Sequence, residues 1–383
     1  MRSLGGHQMR RRERINFLSI VSAEVLTLLW VVAAASSAQV STRRPPKPLI
    51  PQFTANKGEL LQKLRDRKFR DLDAQLNSYQ ARFEENALAE SNSAVAYEAF
   101  FSPDPALGPL LDEWVSKDPN SCPAHSARAE YLVAAGYQAR GDQSADETSA
   151  GQFAEMNALL AKAVEDATAA IKLNPNSSFG YASIIDAATG ASDDDLREQT
   201  FAAGLKNIPL SMVIRVSEIR ALQPRWGGSY GAMERLAAEA QKYAVQNPKL
   251  VTLKGFADVE RGKVALSEND LEGALTFYDQ AVQEGGYLFN TGYTSRGMLY
   301  LRLGRYDDAL RDLDHANHLR PQEPKVLEAL AVIYAHFKRP KDTLALIQEY
   351  RTFAEPDPDL VNLEIWAQNF DPESVSGTRK GGD

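Results

Sequence analysis

Residues 290–323 read NTGYTSRGMLYLRLGRYDDALRDLDHANHLRPQE, and this stretch decides the fold. Tyr293, Gly297 and Tyr300 recur at i, i+4 and i+7, which puts them on one face of a first helix. Gly304 follows and predicts the end of that helix, because glycine takes the left-handed C-cap conformation without steric cost. Tyr306 is expected at the corner, and Asp307 and Asp308 stand where a helix N-terminus favours negative charge. Ala309, Leu313 and Ala316 then face back toward the first helix, and Pro321 closes the unit. Gly297 and Ala309 are small where two helix axes must approach to about 8–10 Å. The stretch therefore predicts one antiparallel helical hairpin, 34 residues long.

The same phase continues on both sides. Gly262, Ala274, Tyr278 and Ala281 repeat the pattern one unit earlier, with Ala274 standing 35 residues before Ala309. Tyr334, Thr343 and Pro356 repeat it one unit later, with Thr343 34 residues after Ala309. That spacing is the period of tetratricopeptide repeats, and residues 251–357 are identified as three such units. The resemblance implies an all-α, right-handed solenoid (a superhelix of antiparallel hairpins) in which the first helix of each hairpin lines a concave groove. Residues 358–371 read as a solvating cap helix, with Trp366 packed back onto the last hairpin, and residues 372–383 as a disordered tail.

Upstream the hairpins diverge but can still be followed, and residues 57–250 are assigned to one helical domain. Ala163, Ala170 and Pro175 mark the second helix of one hairpin, preceded by a polar, turn-rich loop over 141–151. Tyr181 and Pro209 bracket the next, with Ser192 as the expected N-cap before Asp193, Asp194 and Asp195. Residues 212–248 make a further hairpin, in which VIRVSEI (213–219) is read as its first helix although it is also the best strand candidate in the chain. Residues 61–83 fit the same plan, with Lys68 and Phe69 at the corner.

A second resemblance rests on FRDLDAQL (69–76), Trp114, DPNS (118–121), YQARG (137–141) and RWGGSYGAM (225–233). Over about residues 60–243 the chain resembles a bacterial domain family of unknown function that commonly occurs with attached tetratricopeptide repeats. The sequence departs from that family at Tyr137, where the family tends to carry tryptophan, and it lacks the aromatics expected around Gln152. The resemblance implies a helical domain and a bacterial source, and it implies no activity.

The chain opens with an export signature. Arg2, Arg10, Arg11, Arg12 and Arg14 form a basic region, Val25 to Ala35 is apolar, and Ser36-Ser37-Ala38 offers the small residues of a cleavage site before Gln39. Glu24 leaves the apolar run short of the roughly 30 Å of hydrocarbon a span requires. Residues 1–38 are therefore assigned as a signal peptide, with an uncleaved anchor in the inner membrane as the alternative. Residues 39–56, with RRPPKPLIP (43–51) at their centre, read as a proline-rich linker. An exported, periplasmic location is the expectation, with no stable membrane insertion once the signal is removed.

The whole chain carries a formal charge of −8, and loss of residues 1–38 removes five arginines and two glutamates, leaving −11. Such a surface repels phosphate backbones, which argues against a nucleic-acid partner. Cys122 is the single cysteine, so no intramolecular disulfide forms.

Four constellations invite chemistry. Gly227-Gly228-Ser229-Tyr230-Gly231 satisfies G-x-S-x-G, the pattern of an envelope hydrolase with Ser229 as nucleophile. A nucleophile elbow needs a preceding strand, and none is predicted here; the glycines are expected to turn the chain and Ser229 to cap the helix beginning at Tyr230, with Trp226 a packing or contact residue. Cys122 and His125 lie three apart, but Pro123 at a helix start favours a buried or capping thiol. His315 and His318 share a helix face without a third ligand at suitable spacing, so no metal is assigned. No phosphate-cradling glycine loop or dinucleotide fingerprint occurs, so no cofactor and no catalytic residue is assigned.

The expected function is then non-catalytic: a scaffold or adaptor that holds a protein or peptide partner in the groove. The repeat resemblance places Val259 and Lys263, then Thr294, Met298 and Arg302, then Lys325, Glu328, Val332 and His336 along that surface. A subset of the class clamps a terminal carboxylate with basic and asparagine residues in its first unit. Val259 and Lys263 stand at those positions here, so that clamp is not expected. The competing expectation is that this surface packs against the N-terminal hairpins of the same chain.

Overall fold

The computed structural model describes residues 54–370. The expected signal peptide, most of the proline-rich linker and the expected tail lie outside the described residues. Seventeen α-helices and no strand occur among the described residues, so the all-α hairpin array is the fold. Four helices come first: α1 (Lys57–Arg65), α2 (Phe69–Glu85), α3 (Glu90–Tyr97) and α4 (Leu107–Lys117). Six hairpins follow, each a first helix and a second: α5 (Cys122–Arg140) with α6 (Ala150–Leu173), α7 (Ser178–Ala191) with α8 (Asp194–Asn207), and α9 (Met212–Ala221) with α10 (Tyr230–Ala240). The last three are α11 (Phe256–Ser267) with α12 (Leu271–Gly285), α13 (Asn290–Arg302) with α14 (Tyr306–Leu319), and α15 (Pro324–His336) with α16 (Pro340–Arg351). Helix α17 (Pro358–Asn369) ends the array. None of these helices is long and apolar enough to cross a membrane.

Two kinds of connection alternate. The corners inside hairpins pass through left-handed backbone: Gly141 (φ 76°), Ser192 (58°), Gly227 (88°), Asn269 (60°), Gly304 (70°) and Lys338 (56°). The returns between hairpins carry proline followed by a cap. Ser121, Ser177 and Ser211 accept hydrogen bonds from the amides of Ala124 (2.9 Å), Gly180 (3.3 Å) and Ile214 (3.1 Å), satisfying donors that a helix start leaves free. One expected cap moves by a residue: Ser192 sits in the left-handed corner, and Asp193 caps α8 by accepting from Leu196 N at 3.0 Å. The helix capped by Ser229 also stops early, at Ala240, and the chain reaches α11 through a 3-10 run over Pro248–Gly255.

Inside the hairpins the packing follows from small residues and buried pairs. A Cβ on Gly297 would stand 2.8 Å from Leu313 Cγ, and one on Gly262 2.3 Å from Tyr278 Cε1. Ala309, Leu313 and Ala316 are buried, as their spacing predicts. Arg296 on α13 grips Asp312 on α14 with Nε and Nη2 at 2.6 and 3.0 Å, and Arg128 on α5 grips Asp166 on α6 in the same way at 2.6 and 2.7 Å. At the end of the array Leu360 and Leu363 of α17 pack against Leu327, Ile347 and Tyr350, whereas Trp366 is half-buried and lies 5.2 Å from the Phe370 ring.

Helices α1–α4 lie against the returns, at the start of the first helices. Helix α3 is polar in sequence, ESNSAVAY, and every one of its residues but Ala94 is buried. Glu90 explains how this is tolerated: its carboxylate accepts from Met212 N (2.6 Å), Val213 N (3.3 Å) and Ser211 Oγ (2.5 Å) at the N-terminus of α9. Asn92 accepts from the amides of Thr54 (2.8 Å) and Ala55 (3.3 Å), Lys249 donates to Ser91, and Tyr97 stacks on Phe179 at 4.5 Å. The same unit reaches the far end of the array. Lys57 N donates to Gln322 Oε1 (2.7 Å), Lys57 Nζ donates to Gln322 O (2.9 Å), and Glu98 pairs with Lys57 (3.1 Å) and Arg320. Phe353, after α16, packs into the N-terminal core.

Candidate functional site

The first helices α5, α7, α9, α11, α13 and α15 present one row of side chains, and the corners index it. The residue six positions before the left-handed corner is Asp186 in α7, Lys263 in α11, Met298 in α13 and Val332 in α15. The residues expected on this surface divide into several environments. Val259 is a core residue, packed with Leu253, Phe256 and Phe289. Thr294 is half-buried with an Oγ1 that makes no hydrogen bond, and half-buried Met298 packs on the core of the last two hairpins. Arg302 is exposed and donates to Asn269 Oδ1 at 3.1 Å. Lys325 is exposed and Val332 half-buried. Burial pushes the Glu328 carboxyl up despite a hydrogen bond with Tyr350. His336 is exposed and stacks on Tyr306, with ring centres 3.5 Å apart.

The charged centre of the row lies at the far ends of α5, α7, α9 and α11, away from the face covered by α1–α4. Four helices contribute to it. Tyr137 of α5 donates its hydroxyl to the Asp186 carbonyl at 2.9 Å, and Ser217 of α9 donates to Asp186 Oδ2 at 3.2 Å. Desolvation pushes the Asp186 carboxyl up to about 6, against the pull of Arg220. Beneath it, Glu130 of α5 meets Ser183 Oγ of α7 at 2.6 Å, while the same Oγ lies 2.8 Å from the Phe179 carbonyl. One hydroxyl carries one proton, so with Ser183 donating to the carbonyl, Glu130 supplies the proton of the other bond. Burial, the largest influence on it, pushes the Glu130 carboxyl up to about 8, in agreement with a neutral acid.

Above this polar floor stands the Trp226 turn. Residues Pro224–Trp226 form a 3-10 turn, Gly227 takes φ 88°, and a Cβ on Gly228 would lie 2.1 Å from the Leu222 carbonyl oxygen, so glycine is required there. The turn holds Trp226 partly exposed and edge-on to Tyr137 at 6.1 Å, which joins the α9–α10 corner to α5 past the end of α7. Ser229 caps α10 as expected, accepting from Ala232 N at 3.2 Å, and no hydrogen bond links it to an imidazole or a carboxylate. With no strand among the described residues, the G-x-S-x-G match has no elbow to occupy.

Around the turn three cations approach one carboxylate. Glu260 of α11 is 5% exposed; its Oε2 lies 3.7 Å from Lys263 Nζ and its Oε1 3.9 Å from Arg225 Nε, both beyond hydrogen-bond distance, and Oε2 has no hydrogen-bond partner. Arg225 is steadied by Gln223, whose Oε1 accepts from Nε (2.9 Å) and Nη2 (2.6 Å). Arg220 is exposed and within electrostatic range of Glu130, Asp186 and Lys263. Burial, followed by the repulsion of Arg225 and Arg220, lowers the Lys263 ammonium, with Glu260 opposing.

The remaining candidates are tied into structure. His125 bonds Asp166 Oδ1 (2.8 Å) and the Pro119 carbonyl (3.1 Å) rather than Cys122, and burial pushes the Cys122 thiol up, away from thiolate character. His315 Nε2 donates to the Tyr287 carbonyl at 2.8 Å, which commits that nitrogen, and burial lowers the imidazole. A cavity of about 410 Å³ at the Asp118 return is lined by Asp73, Asn77, Asp118, Asn120 and Asn174, and Asp73 is engaged by Ser121 and by Trp114 Nε1 (3.5 Å).

Sequence reading had singled out Lys263 and Trp226 but not Asp186, Arg220, Arg225 or Glu260. The corner register could have found Asp186, which occupies the position of Lys263 one hairpin further back than α9. Arg220 and Arg225 lie beside the irregular corner, where no register applies.

These features define a helical-hairpin array with a charged, aromatic-rimmed site on its first helices. No family model matches the chain, and no curated protein does. Among solved structures it is similar to the hetero-tetramer Cut9-Hcn1 of the APC/C (TM-score 0.32, 14% identity, covering 81% of this chain and 54% of that one). It is also similar to yeast Tom70 (TM-score 0.38, 16% identity, covering 72% of this chain and 60% of that one). The chain spans less than two thirds of either.

Proposed function

We propose that this protein is a non-catalytic scaffold or adaptor that holds a peptide or helix of another protein along its first-helix face, in the periplasm of a bacterial envelope. One observation carries the reading: successive first helices present side chains in a common register, from Asp186 through Lys263 and Met298 to Val332, as an extended partner requires. The negative charge of the chain favours a protein partner over nucleic acid. The location rests on the basic, apolar and small-residue segments of residues 1–38 alone. Crosslinking followed by recovery of the tagged protein from envelope extracts tests the function. A partner enriched over a tagged control is expected, and recovery of the protein alone would count against the reading. Mass spectrometry of the native N-terminus tests the location: a start at Gln39 is expected, and a retained Val25–Ala35 segment would indicate a membrane tether instead.

A further inference from the structure

Near Trp226 the charge balance of the first-helix face is incomplete. Arg220, Arg225 and Lys263 crowd around Glu260, and neither Arg225 nor Lys263 reaches it within hydrogen-bond distance. Arg220 makes no hydrogen bond or ion pair to another side chain among the described residues. Other buried acids in the molecule are met differently: Asp312 and Asp166 each receive two bonds of 3.0 Å or less from one guanidinium. Here the geometry is reversed, with several cations, one buried carboxylate oxygen unpartnered, and an exposed indole above them.

A further acid on the protein does not complete the set. Asp186 is held by Ser217, and Glu130 lies deeper, bonded to Ser183. The missing element is an anion arriving from outside, small enough to pass Trp226 and Tyr137, and able to bridge Arg220 and Lys263. We propose that this mouth receives a carboxylate side chain of an internal, acidic segment of the partner protein, with the Trp226 and Tyr137 rings packing against the apolar residue beside it. Chain ends are not required, because the rings flank the cations and leave room for the segment to continue on both sides along the first-helix row. This deepens the scaffold reading and rests on it.

The test uses the purified protein and dye-labelled peptides acetylated and amidated at their ends, read by fluorescence anisotropy. The probes are Glu-Glu-Tyr-Glu-Glu and its Gln and Lys counterparts. Binding of the Glu peptide alone is expected, weakening as salt rises from about 50 to about 300 mM. Arg220→Gln and Lys263→Gln should each weaken it by about tenfold, and Trp226→Ala by less. Arg302→Gln, on the same face but two hairpins away, should leave it unchanged, and thermal melts confirm that each variant folds. Equal binding of the Gln peptide, or undiminished binding by Arg220→Gln and Lys263→Gln, would overturn the proposal. So would displacement of the Glu peptide by inorganic phosphate at equal concentration, which would mark a phosphate site. If a partner recovered from extracts is retained by the Arg220→Gln, Lys263→Gln double variant, this mouth is excluded while the scaffold reading stands.

Discussion

The hairpin α13–α14 and the hairpin α9–α10 share a plan and differ in how they meet water. In α13–α14 a single left-handed glycine turns the corner, Gly297 lets the helices close, and the buried acid Asp312 is fully matched by Arg296. In α9–α10 the corner is lengthened by the Pro224–Trp226 turn and two glycines, and the helices around it bury Glu130 and Asp186 without a bonded cation. The regular hairpin spends its sequence on stability. The irregular one accepts desolvated charge and an exposed tryptophan, a combination that packing alone does not favour and that ligand sites often show.

The comparison can be broken most forcefully with pH. Glu130 and Asp186 have raised folded-state values, about 8 and about 6, so the folded protein binds more protons than the unfolded chain above the ordinary carboxylate range. Their contribution is complete below about pH 4 and is lost as pH rises through 6 and then 8. For Glu130 alone this is on the order of 4 kcal/mol. Lys57 and Lys249 are lowered to about 8, mainly by burial, so their contribution is full only at high pH and is lost as pH falls through 8. Urea melts should therefore show a stability minimum near pH 8, and Glu130→Gln should flatten the acid side of that curve. An unchanged curve would mean that Glu130 is ionised and paired.

Next in size is Asp312→Ala, which leaves Arg296 with only the exposed Asp279 and should cost about 3 kcal/mol in the same melts. Gly297→Leu should overpack Leu313 and cost about 1–3 kcal/mol, read as a lower urea midpoint. Ser229→Ala removes the α10 cap and should cost about 1 kcal/mol, with partner binding retained. If the two hairpins responded alike, with Ser229→Ala as damaging as Asp312→Ala, the division between a structural and a functional hairpin would fail.

The sequence disclosed those parts of the molecule whose cause is local. Gly304, Ala309 and Leu313 announce their hairpin because period, size and corner conformation are set within 34 residues. Ser229 could be read as a cap for the same reason, since its acceptor lies three residues away. The Ser192 cap missed by one because serine and aspartate both cap, and only the backbone decides which of two neighbours takes the left-handed angle. The site was barely legible: Asp186, Arg220, Arg225 and Glu260 come from four segments, and their mismatch of charge appears only after folding. The burial of α3 was hidden too, because ESNSAVAY reads as a surface helix until the N-terminus of α9 is placed against Glu90.

The bond between Lys57 and Gln322 spans 265 residues, and it changes what kind of object the array is. An open stack of repeats can gain or lose a unit, because each unit answers only to its neighbours. Here the first helix must meet the fifth and sixth hairpins in register, so the number of units between them is fixed as it is in a ring. Inserting or deleting one hairpin would move Gln322 by a full repeat and strand the buried Lys57 ammonium. Such closure also delays folding, since a contact this distant in sequence forms only after the intervening helices have found their places. Duplication of repeats, the ordinary route by which solenoids grow, is closed to this chain.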